Sequence, residues 1–151
     1  MIELPIALAT VQDFAERTGA ERVVALLDTG ADTSPVMVER TEEGELVVVD
    51  GDDVRAVAAD PAAAPLPLGD LRTVPASAMA ADPETGELAA PLGSVQLLAD
   101  SVLALARAFG GRSVATATFP TRDPALPLTV AGRAGEPVVL DIGGRHFALP
   151  S

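Results

Sequence analysis

The sequence predicts an α+β fold, an internally duplicated βαβββ-βαβββ chain with helices on one face of a mainly antiparallel sheet. Three observations lead there. Setting residues 10–50 on residues 101–141 gives ten identities in 41 positions, among them Val11/Val102, Gly19/Gly110, Gly44/Gly135 and Asp50/Asp141. Chance matching would give roughly three or four at average composition. Upstream, Glu3-Leu4 recurs as Glu87-Leu88 and Thr10-Val11-Gln12 as Ser94-Val95-Gln96, both 84 residues apart. The step from 84 to 91 is seven residues, about two helical turns, so it lengthens a helix while keeping the same face inward.

Each copy is expected to open with a short strand, over about residues 2–8 and 87–92. A helix follows, over about 11–18 and 95–109, with Thr10 and Ser94 as N-cap residues. In the second helix Val95, Leu98, Val102, Leu105 and Phe109 recur at three- and four-residue steps, an amphipathic stripe. Gly19 and Gly110 are the stop signals. Strands are then predicted near 22–28 and 113–119, 35–40 and 126–131, and 45–50 and 136–142. Glu43-Gly44-Glu45 and Ala134-Gly135-Glu136 read as hairpin turns between the last two. A final strand is expected at Arg145–Leu149, with Val54–Val57 as its counterpart.

These boundaries make residues 1–151 one domain, with half-repeats 1–58 and 87–150. The stretch 59–86 between them carries Pro61, Pro65, Pro67, Pro75 and Pro83. So many prolines exclude a central strand or a regular helix. An extended surface connector is expected, closing in the turn Asp82-Pro83-Glu84-Thr85-Gly86.

Composition narrows the function. Hydrophobic residues make up 48% of the chain but aromatics only 3%, so the core must be aliphatic and platforms for stacking bases are scarce. No Cys is present, which excludes disulfides and thiolate chemistry. All ten basic residues are Arg, a usage typical of GC-rich coding, and the formal net charge is −12. That balance argues against a phosphate-binding surface, since nucleic-acid affinity comes from clustered Lys and Arg. Met1-Ile2-Glu3-Leu4-Pro5 places an acid and a Pro where a signal peptide needs basic residues and an apolar run, so a cytoplasmic, membrane-free protein is expected.

In element order the chain resembles one domain of the DNA sliding clamps, where two such units share a pseudo-twofold axis. The resemblance implies helices on one side and a sheet on the other. Clamps also need basic helix faces, whereas the helices here carry Asp13, Glu16 and Arg17, and Asp100 and Arg107.

One motif carries chemistry. Leu26-Leu27-Asp28-Thr29-Gly30-Ala31-Asp32-Thr33-Ser34 resembles the catalytic loop of retropepsin-like aspartic peptidases, and Val23-Val24-Ala25 resembles its lead-in strand. The resemblance implies a homodimer in which Asp28 of each subunit is catalytic, with Thr29 and Gly30 bracing the loops. Two carboxylates so placed share one proton, and one activates a water while the other protonates the carbonyl. Val139-Leu140-Asp141-Ile142-Gly143-Gly144-Arg145 is a loose echo of that family's closing motif, and no glycine-rich flap follows Pro35. The alternative is plain: Asp, Thr, Gly and Ser are the residues that turns between strands use.

His146 is the sole His and reads as a strand residue, and Asp50-Gly51-Asp52-Asp53 reads as a solvated turn. No cofactor and no metal are expected. The expected function is a non-enzymatic protein-interaction or scaffold domain, partnered by another protein or by itself, with the homodimeric peptidase as the alternative.

Overall fold

Pro5 decides how the chain begins. The computed structural model describes residues 3–28, 36–71, 73–81, 84, 88–89 and 92–149. Within them helix α1 spans Leu4–Thr18, with Pro5 in its first turn and Glu3 as the extended residue before it. Proline suits that place because its fixed φ is already helical and its missing N–H would be unbonded there anyway. The strand expected over residues 2–8 is therefore the first half of a helix. Ala7, Leu8, Val11, Phe14, Ala15 and Thr18 form its buried stripe. Thr10 is not a cap either; it lies inside α1, and its hydroxyl donates to the Ile6 carbonyl at 2.7 Å.

After α1 come β1 (Arg22–Leu27), β2 (Val36–Arg40), β3 (Leu46–Asp50) and β4 (Asp53–Val57). Between residues 58 and 92 lie a short 3-10 turn (Ala76–Ala78) and the two-residue strands β5 (Ala80–Ala81) and β6 (Leu88–Ala89). Helix α2 (Leu92–Phe109) is followed by β7 (Val114–Phe119), β8 (Leu128–Arg133), β9 (Val138–Ile142) and β10 (Arg145–Leu149). The strand expected over 87–92 is replaced by β6, which pairs only with β5, and by the start of α2. Ser94, expected as a cap, sits within α2. The helices thus differ by three residues, 15 against 18, rather than by two turns. Gly19 and Gly110 end them, each in the left-handed region at φ +76°.

Eight strands form one antiparallel sheet in the order β10-β9-β8-β7-β1-β2-β3-β4. Each half therefore reads helix, then four strands in a meander, and the halves join where β1 pairs with β7. Helix α1 lies against β1 and β2, α2 lies against β7 and β8, and the helices touch each other. One core fills the space between the layers. Phe14, Leu98, Leu105, Phe119, Leu128 and Ile142 are among its fully buried side chains, with Ala25, Ala115 and Ala117 keeping the centre of the sheet thin. All five stripe residues of α2 are buried in it.

Equivalent strands stand 92 residues apart, because β1, β3 and β4 begin at Arg22, Leu46 and Asp53, and β7, β9 and β10 at Val114, Val138 and Arg145. The offset of 91 taken from residue identities is one short in the strands. It would match Val47, which faces away from the core, with the buried Val138. A one-residue slip in a strand exchanges its two faces. The interchangeable valines of β3 and β9 hide that slip, and the alternation of burial exposes it.

The connector is not a loose surface strand. Leu68 and Val74 are buried, and Met79 has no exposed surface. Backbone polar groups fix it as well: the Leu66 N–H donates to Thr10 Oγ1 at 2.9 Å, and the Thr73 hydroxyl donates to the Arg17 carbonyl at 2.9 Å. Arg17 in turn donates to the Gly69 carbonyl. The Arg122 N–H donates to the Met79 carbonyl at 2.7 Å. Among its described residues there is no α-helix and only the two-residue β5, and its spaced apolar residues hold it against the fold. Of the predicted turn over 82–86, only Glu84 falls among the described residues.

Candidate functional site

Asp28 follows directly on β1, and the candidate residues Thr29 and Gly30 lie outside the described residues. The Asp28 carboxylate accepts the Arg112 N–H through Oδ2 at 3.0 Å. Its own N–H donates to Oγ of the buried Ser113 at 3.1 Å. Both partners belong to the short connection from α2 to β7. Gly110 and Gly111 turn that connection with successive φ of +76° and +57°. A Cβ on Gly111 would stand 2.8 Å from Asp28 Oδ2. Asp28 therefore clasps the end of β1 to the turn that launches its neighbour β7. The two halves meet at that corner.

In a retropepsin arrangement this carboxylate faces a second Asp28 across a subunit boundary. Here the exposed Asp28 directs Oδ2 at an amide of its own chain. Asp28→Asn keeps an acceptor oxygen and is expected to cost under about 0.5 kcal/mol, whereas Asp28→Ala should cost about 1 kcal/mol through the lost charged acceptor. Denaturant unfolding measures both. No cleavage of an unfolded protein is expected at about pH 4–5, the range in which a carboxylate pair works. Acid proteolysis abolished in Asp28→Asn would reassign Asp28 to catalysis.

His146 stands across from Asp141, with Nδ1 3.3 Å from Oδ2, on the edge pair β9–β10. Among the described residues no group of three or more His, Asp or Glu side chains is placed to hold a metal ion. At the β3–β4 turn, Asp53 meets Arg55 at 3.3 Å. The echo motif from Val139 to Arg145 is the β9–β10 hairpin, with Gly143 and Gly144 at φ +60° and +81°. No described helix is long and apolar enough to cross a membrane.

Comparison with protein-family models, with curated proteins and with solved structures gives no match. The chemistry must be read from the surface itself.

Two surfaces stand out that sequence reasoning missed. The first is the sheet face opposite the helices. Register places Val24, Leu26 and Met37 on its first half and Val114, Ala131 and Val139 on its second, with Thr116, Thr118 and Thr129 between them. Leu26 and Val139 are each 39% exposed and Val54 is 65% exposed. The charged groups here pair locally: Arg22 meets Glu39 at 2.6 Å, Arg133 meets Glu136 at 3.8 Å, and Asp141 meets His146 at the β10 edge. Strand alternation was visible in the sequence, but the same valines occupy both faces, so no polarity difference marked which side a helix would cover.

The second surface is a pair of grooves where the outer strands extend past the helix layer. One, of about 620 Å³, runs between α1 and the β3–β4 pair and is lined by Gln12, Glu16, Glu45, Leu46 and Val57. The other, of about 280 Å³, runs between α2 and β9–β10 and is lined by Asp100, Leu103, Arg107, Glu136 and Leu149.

Proposed function

We propose that this chain is a non-enzymatic interaction domain, built by duplication of a helix-plus-four-strand unit, that associates with a second copy of itself through its open sheet face. The supporting observation is the apolar patch on the side of the eight-stranded sheet that no described helix covers. An antiparallel sheet with one wet side normally alternates apolar-in and polar-out. Here valines, Leu26 and Met37 stand on the outer side as well. A sheet with two apolar faces needs a layer on each.

Size and charge favour a second copy as that layer. Eight strands of five or six residues span about 40 Å by about 17 Å, so two faces packed together bury about 1,300 Å², within the range of specific interfaces. On this face Arg22 pairs with Glu39, Arg133 with Glu136 and His146 with Asp141, while the chain as a whole carries −12. Paired charges lessen the repulsion between two copies that meet there.

The duplication reading rests on the matching order of the halves and on the common spacing of their strands. A clamp-like topology, with both helices on one side and the halves joined at β1 and β7, is the finer description it supports. Clamp chemistry does not accompany it. Arg17, the basic residue in the last turn of α1, is already committed to Asp13 at 3.4 Å and to the Gly69 carbonyl. No affinity for random duplex DNA is expected near physiological salt; a micromolar, salt-dependent mobility shift would bring DNA back.

Sedimentation velocity tests the self-association directly. A dimer is expected at about 50 μM, and Leu26→Asp combined with Val139→Asp should give a folded monomer, since each buries an unpaired carboxylate at the interface. A wild-type chain that stays monomeric at that concentration refutes the reading.

A further inference from the structure

We propose that the edge strand β4 is a second, independent contact between copies of this chain: it pairs antiparallel with β4 of another copy, Val54 opposite Val54. β4 closes one end of the eight-stranded sheet, and among the described residues only β3 pairs with it. Gly51 and Asp52 make a two-residue turn, which closes on a hydrogen-bonded pair, here Asp50 with Asp53. Alternation along the strand then turns the N–H and C=O of Val54 and Ala56 to the open edge. Helix α1 rests on β1 and β2, further in, so a second copy has room to approach.

Charge usually protects such an edge against a second strand. In β4 it does the reverse, because Asp53 and Arg55 flank Val54 with opposite signs. Setting Val54 opposite Val54 places each Asp53 across from the other copy's Arg55, and opposite charges that face each other across strands attract. Within one chain the two meet at 3.3 Å, with both side chains more than half exposed, so an exchange of partners buries little charge.

The same register joins the open faces. Val114, Leu26, Met37, Val49 and Val54 stand directly opposite one another in turn, an apolar row across five strands that ends at the edge. Val54, the last of them, is left 65% exposed. Pairing Val54 with Val54 continues the row into the second copy without a break. A two-fold contact of this kind uses one patch on both copies, as closed pairs do.

The other half supplies the contrast. Standing 92 residues on from Leu26, Met37, Val49 and Val54 are Thr118, Thr129, Asp141 and His146, a row in the equivalent places but polar throughout. At its edge His146 is flanked by Arg145 and Phe147, which offer no opposite charges to a copy of themselves. Pairing β4 with β10 of another copy in the equivalent register would set the apolar row against the polar one. Self-pairing of β4 avoids both mismatches.

One strand pair is a small interface, so it is expected to populate at several hundred micromolar and to escape sedimentation at about 50 μM. Disulfide capture detects it, since the chain has no cysteine of its own. The Leu26→Asp, Val139→Asp chain is the background, which keeps the result separate from the open-face reading. In it, Val54→Cys should cross-link under mild oxidation at about 200 μM at least about tenfold faster than His146→Cys, because opposed residues of a strand pair lie within disulfide reach. Two further chains carry Val54→Cys with either Asp53→Arg or Arg55→Asp. Each should cross-link with itself more slowly, since like charges then face each other. Mixed together, they should form the mixed dimer about threefold faster than either self-pair, because opposite charges are restored. Both remain strongly acidic, so overall attraction does not account for that preference. Capture through Val54→Cys no faster than through His146→Cys overturns the edge contact. A mixture without preference overturns it too, since the charges then do not set the register.

Discussion

Met79→Ala is expected to destabilise the chain by about 3 kcal/mol, which for a domain of this size lowers the melting temperature by about 6–12 °C. Met79 has no exposed surface, although it lies in a proline-rich stretch with little regular structure. Its side chain belongs to the one hydrophobic core, and its carbonyl accepts the Arg122 N–H. Truncation leaves a cavity that the backbone cannot close, because Thr10 and Thr73 hold the same segment further along. A connector lying freely on the surface would lose less than about 0.5 kcal/mol. Thermal and urea unfolding of the two chains measures the difference, and a loss that small would return residues 59–81 to the role of a passive tether.

Gly111→Val is the second large effect, expected at about 3 kcal/mol. Valine is a poor fit to φ +57°, which alone costs about 1–3 kcal/mol. Its Cβ would also stand 2.8 Å from Asp28 Oδ2 and push that oxygen off the Arg112 N–H, for about 1 kcal/mol more. Gly110→Ala separates the two contributions. Its φ is +76° but no atom lies within 4 Å of the added carbon, so strain acts there without collision. About 1 kcal/mol is expected for it. If Gly111→Val proves no worse than Gly110→Ala, the Asp28 corner does not hold β1 to β7. Coupling can be checked too, because the loss on Asp28→Ala should shrink when Gly111→Val is already present.

Much of this architecture is legible in the order of residues. The stripe in α2, the glycines ending both helices, the hairpin at Gly44 and the strand positions all depend on neighbours within a few residues, which is where periodicity and turn chemistry operate. The start of α1 was also legible, since Leu4, Ala7 and Leu8 extend the stripe backward and Pro5 marks a first turn. The strand expected over about residues 2–8 passes over that signal.

The site was less legible. Asp-Thr-Gly is a short motif that turns and catalytic loops both use, so the sequence leaves Asp28 with two readings, and its partner at Arg112 is 84 residues away. Nothing in residues 26–34 announces that partner. The grooves were hidden for another reason: Gln12 and Leu46 acquire a shared cleft only when a helix covers two strands of four.

By itself the sequence determined the acidic balance, the aliphatic core without cysteine, where both helices stop, and where the eight strands of the main sheet lie to within two residues. Tertiary structure alone decided which face of each strand is buried, that equivalent strands stand 92 residues apart, and that Met79 belongs to the core. The division has one cause. Local backbone preference is written in adjacent residues, whereas the burial of a valine in a sheet rich in valines depends on which side a distant helix comes to rest.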